Sequence, residues 1–138
     1  MEKTFTLREA DALLPKVESI LQHMDVLLKR THQLAATRPP AASDPSALEI
    51  AESARIRSQM EFLLQAVEED IQLIGHMGGV VKDVEKGLVD FLGRVEGEDA
   101  WLCWKRGEPK IYFWHPLHAG FSERQTLKRG EDRTTTTH

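Results

Sequence analysis

Positions Leu7, Ala10, Leu14, Val17, Leu21, Met24, Leu28 and Thr31 recur at spacings of three and four, flanked by Leu13, Ile20, Leu27 and Leu34. A stripe of that width predicts an amphipathic helix of about eight turns, able to pack against more than one neighbour. Thr6 followed by Glu9 is a capping-box signature, and Phe5 before it can act as a hydrophobic staple. Pro15 falls inside the pattern, where it removes one backbone hydrogen bond and crowds the preceding turn, so a kink or two abutting helices are expected there.

Residues 36–46, ATRPPAASDPS, lack periodicity and read as a connector. Asp44 and Pro45 suit the N-cap and first position of a second helix. Along that helix Met60, Leu63, Leu64, Val67, Ile71 and Ile74 form the apolar stripe, while Glu49, Glu52, Glu61, Glu68 and Glu69 mark the wet side. Gly78 and Gly79 end it. Two long helices joined by a loop predict an antiparallel hairpin.

After the glycines the pattern changes to short β-branched and aromatic runs bounded by turn residues. Strands are expected near 79–81, 88–92, 100–105 and 110–115, with EGED at 96–99 and RGEP at 106–109 as hairpin turns. Alternation puts Trp101, Cys103 and Lys105 on one face and Leu102 and Trp104 on the other. Seven of the nine aromatic residues lie between Phe91 and Phe121, so the tightest packing belongs to this region. The fold expected is α+β, a long antiparallel helical hairpin followed by a small antiparallel β-sheet. It forms a single domain over residues 1–127, and the apolar-free residues 128–138 make a mobile tail.

The runs GGVVKDVEKGLVDF (78–91), WLCWKRGEPKIYFWH (101–115) and AGFSERQ (119–125), with FTLREADALLP (5–15) before them, resemble the bacterial domain-of-unknown-function family 2203. The resemblance spans nearly the whole chain apart from the proline-rich connector and the tail. It implies the fold unit and its motif residues as a set, and it brings no activity, substrate or cofactor.

Composition narrows the function classes. At 138 residues, 41% hydrophobic and 29% charged, the chain suits one soluble globular domain, and no apolar run approaches the ~20 residues of a membrane span. MEKTFTLREA has an early acid and no apolar run, unlike a signal peptide, so a cytoplasmic location is expected. The net charge is −4, with 8 basic against 12 acidic residues in 1–76 and 10 of each in 77–138. Neither half supplies the dense basic face that nucleic acid requires. The single cysteine agrees with a reducing compartment.

Polar groups set among the clustered aromatics are the candidate chemistry, because burying them is costly unless they are paired. His115 and His118 in WHPLH can reach one metal if the chain turns after Pro116. Joined by Asp83, Asp90 or Glu108, they make a mixed nitrogen and oxygen site suited to zinc, manganese or iron. The plainer alternative has His115 bonded to a backbone carbonyl and His118 on the surface. Cys103 lies between two tryptophans, and apolar filler is preferred to nucleophile because no glycine-rich turn or helix N-terminus stands beside it. Asp83, Glu85, Asp90 and Glu108 recur on turns and strand ends near Lys82, Arg106 and Arg124, where an acid–base pair competes with structural ion pairs, the latter favoured. Gly78 and Gly79 precede no helix and cannot form a phosphate loop.

Two functional readings follow. In one, Asp83, Asp90, Glu108 and Arg124 bind a ligand at the sheet end, with His115 and His118 holding a divalent metal. In the other, the same groups form an internal ion-pair network and the protein is a structural partner. Homo-oligomerisation through the long helices is expected on either reading, since their apolar faces exceed what one small sheet covers.

Overall fold

A computed structural model of the chain describes residues 3–129. Two long helices, α1 (Leu7–Ala36) and α2 (Ala47–Met77), precede a five-stranded antiparallel sheet: β1 (Gly79–Asp83), β2 (Leu88–Val95), β3 (Glu98–Lys105), β4 (Phe113–Pro116) and β5 (Gln125–Thr126). The architecture is therefore α+β with a helical hairpin. Residues 130–138 of the expected tail lie outside the described residues. Within 3–129 no helix is long and apolar enough to cross a membrane.

The α1 capping box forms as the sequence predicts: Thr6 N–H donates to Glu9 Oε1 (3.0 Å) and Glu9 N–H to Thr6 Oγ1 (3.1 Å). Pro15 is accommodated inside one continuous helix, so the expectation of two abutting helices does not hold. The start of α2 also differs from expectation. Ser46, not Asp44, caps it through a second box with Glu49 (2.8 and 3.1 Å), because only Ser46 stands three residues before an acid able to reach back.

The described residues divide into two compact units, 20–70 and 3–19 with 71–129. In the first, Leu21, Met24 and Thr31 of α1 and Ile56 and Val67 of α2 are buried, and His23 pairs with Asp70 across the helices. Leu64 is 46% exposed, a correction to its place in the apolar stripe. At 100° per residue it stands about 70° off the line through Ile56, Met60, Leu63 and Val67.

In the second unit the five strands follow one another in chain order as a meander. Glu96 and Gly97 have φ of 53° and 84°, the paired left-handed residues of a two-residue type I′ turn, and they set the β2–β3 register. The sheet face carrying Gly79, Val89 and Phe91 meets Ile74 and Phe5, whose ring stands edge-on to Phe91 at 5.8 Å. The fourth strand is shorter than expected at its start. Ile111 N–H donates to Asp11 Oδ1 (3.0 Å) and its carbonyl accepts from Arg129 (2.7 Å), so its backbone pairs with side chains instead of a strand. Arg129 completes the clamp on Asp11 Oδ2 at 2.7 Å. Composition alone places that residue in the tail, and the pattern of apolar runs gives no sign of β5.

Two substitutions test this packing. Asp11→Ala leaves the buried Ile111 amide unpaired and is expected to cost about 1–3 kcal/mol in urea unfolding. A Cβ at Gly78 would stand 2.1 Å from the Phe5 ring at a φ of 110°, so Gly78→Ala is expected to cost at least about 2 kcal/mol in the same assay.

Candidate functional site

The sheet face opposite Phe91 carries a polar row with one residue from each of four strands. Register creates it: Asp90 on β2 lies directly opposite Cys103 on β3, and His115 on β4 lies opposite Trp101, two residues along the same face. Backbones of β2 and β4 stand about 10 Å apart on either side of β3, a span that a carboxylate and an imidazole together bridge. Nε2 of His115 and Oδ2 of Asp90 meet at 2.9 Å, with both side chains 2% exposed.

Lys82 reaches the same oxygen at 3.0 Å while its ammonium lies 4.2 Å from the centroid of the Trp101 ring. The β1–β2 register shifts between Val81 and Asp83, leaving Lys82 as the extra residue of a bulge, the usual device for re-aiming a side chain. On the other side Arg124 is stacked between Phe113 (3.9 Å) and Phe121 (4.5 Å), and donates to Glu108 at 2.9 Å and to the Cys103 carbonyl at 3.3 Å. Asp90, Cys103 and His115 are all buried, and a donor atom from each lies within 4.8 Å of the others.

Burial, followed by the Asp90 carboxylate, pushes the Cys103 thiol up to about 12, with Arg124 pulling the other way. Near neutral pH the sulfur is thus a protonated thiol and a poor nucleophile. The His115 ring is oriented by its other nitrogen: Nδ1 is 3.0 Å from the Pro116 carbonyl, which can only accept, so Nδ1 carries a hydrogen. Nε2 then faces the Asp90 carboxylate. Oδ1 of Asp90 is buried without a hydrogen-bond partner among the described residues.

The family model described as "Uncharacterized conserved protein (DUF2203)" matches residues 3–127. The chain belongs to the DUF2203 family. No curated protein and no solved structure matched it. The match runs through every residue of the polar row.

Among the residues singled out by sequence, Asp90 and His115 are brought into contact, and Glu108 and Arg124 pair beside them. Glu108 also accepts from the Lys105 amide at 2.8 Å, closing the β3–β4 turn. Asp83 stands apart and accepts from the Lys86 amide at 2.9 Å, fixing the β1–β2 turn. His118 is exposed after β4 and outside the three-residue donor cluster. Cys103 is buried, as its reading as apolar filler expects, and what sequence reasoning missed is its position beside Asp90 and His115. The signal was present in the EGED turn, because a hairpin centred on Glu96 and Gly97 must put residue 103 opposite residue 90.

The thiol gives a pH test. Its folded value lies above the 9.0 of an unperturbed thiol, so the folded chain keeps a proton that the unfolded chain releases. That contribution to stability is complete below pH 9.0 and is lost as pH rises toward 12. Urea unfolding of wild type and Cys103→Ala across that range is expected to show a steeper alkaline loss in the wild type.

Proposed function

We propose that this DUF2203 domain binds a divalent metal through Asp90, Cys103 and His115, with zinc or iron(II) as the ion. The observation that carries the reading is the His115 ring, whose Nδ1 donates to a backbone carbonyl while Nε2 aims at a carboxylate and a thiol. Metal-bound histidines are characteristically oriented by such a second hydrogen bond. Donor atoms of a tetrahedral zinc site stand about 3.5 Å apart, so the three groups, already within 4.8 Å, need only side-chain rotation to enclose an ion. A sulfur donor moves the choice toward zinc or iron and away from manganese. Binding displaces the thiol proton, and thiolate plus carboxylate balance the ion's two charges. Three protein ligands leave one coordination position for water or a ligand, the arrangement of catalytic zinc sites.

A second reading is favoured by Lys82 on Asp90 (3.0 Å) and Arg124 on Glu108 (2.9 Å): the row is a structural lock across the sheet, in which Lys82 neutralises a buried carboxylate and His115 hydrogen-bonds it. The two readings differ in what Cys103 does. Elemental mass spectrometry on protein purified without a histidine tag, followed by zinc titration against a chromophoric chelator, is expected to give about one metal per chain in the wild type. Cys103→Ala and His115→Ala are each expected to lose it, Cys103→Ala with its fold kept. Absence of metal in the wild type together with no zinc uptake overturns the metal reading. The lock alone predicts instead that Asp90→Ala destabilises the fold by about 3–5 kcal/mol, because Lys82 is left without its counter-charge and His115 without its hydrogen-bond partner.

A further inference from the structure

The unit formed by residues 20–70 presents a second feature, unrelated to the polar row. A groove of about 910 Å³ is floored by Ala51, Ala54 and Ser58 of α2, rimmed by Leu34 of α1, and ends at Phe62, which is 75% exposed. At 100° per residue Ala51, Ala54, Arg55, Ser58, Glu61 and Phe62 all fall within about 60° of the Ser58 direction, and the buried Ile56 and Val67 lie on the opposite side of the helix. The helix thus has one apolar face used inside the chain and, opposite it, an open face on which Phe62 stands among small residues flanked by charges. A solvent-facing phenylalanine beside small residues is a knob next to a hole.

We infer that this face pairs with the same face of a second copy, α2 against α2, antiparallel about a two-fold axis at Ser58. The residue pattern is self-complementary in that register. Phe62 of each copy falls on Ala54 of the other, filling the groove, and Arg55 falls opposite Glu61, giving two symmetry-related ion pairs. Arg55 already contacts Glu52 within its own helix, so each guanidinium bridges two carboxylates in the pair. Shifting the register by one helical turn brings Phe62 against Ser58 and separates both charges from their partners. The interface is small and partly polar, the type that exchanges between monomer and dimer with a dissociation constant on the order of 1–100 μM.

Sedimentation velocity of the full chain over a concentration series spanning that range is the test, with circular dichroism confirming that each variant folds. Dimerisation in the wild type, weakened about tenfold or more by Phe62→Ser and by either Arg55→Glu or Glu61→Arg alone, and recovered in the Arg55→Glu/Glu61→Arg double variant, is the expected result. Recovery by charge exchange is specific to residues that face one another. A wild type that stays monomeric across the series overturns the inference and leaves the groove to another partner. A dimer indifferent to Phe62, or a double variant no better than the singles, overturns it equally.

Discussion

The constraint on which the sheet unit depends is a carboxylate with almost no contact with water. Asp90, 2% exposed on the second strand of a five-stranded sheet, is stable there only if opposite charge or strong donors meet it. His115 and Lys82 both converge on Oδ2, and each comes from a different strand. Slipping either hairpin by one residue would turn these groups to the other face and strand the charge. The polar row therefore specifies strand register as strictly as the aromatic packing on the opposite face does.

Both faces of this small sheet are covered, by different means. One is sealed by apolar contacts from Phe5, which leaves room for no side chain at Gly78, and from Ile74, which stands against Gly79. On the other, Lys82 lies over Trp101, and Arg124 is held between Phe113 and Phe121, so cations on aromatic rings close off the acid, thiol and imidazole. Water exclusion and charge compensation are thus supplied by the same side chains. A buried, partly satisfied set of oxygen, sulfur and nitrogen donors is costly as mere packing, and this cost is the physical basis for reading it as a metal site.

Two kinds of clamp hold the second unit's parts in register. Asp11 receives the Ile111 amide and Arg129, and Glu18 receives Arg106, so acids on α1 grip both ends of the β3–β4 connection. Each pair is partly shielded, where a guanidinium on a carboxylate is worth more than on an open surface. These long-range pairs explain why the segment before β4 is irregular yet Ile111 is fully buried.

Local rules were enough for the elements themselves. The three-and-four spacing picks out Leu7, Ala10, Leu14, Val17, Leu21, Met24 and Thr31, which are buried, and Leu28, which is half-buried, while the Thr6 box and the Gly78 stop act within one turn of chain. Helix periodicity and capping depend on neighbours a few residues away, so the sequence by itself determined them, along with the β-rich character of the second half. The Ser46 box was equally local and was obscured only by the Asp-Pro pair beside it. What joins across the sheet was decided elsewhere. Cys103 beside Asp90, Lys82 turned inward by a bulge, His118 left outside and Arg129 drawn onto Asp11 all follow from register and from contacts between residues distant in the chain. Side-chain identity says which groups need partners, but only the assembled sheet brings those partners within 3 Å, because strand pairing converts sequence separation into proximity.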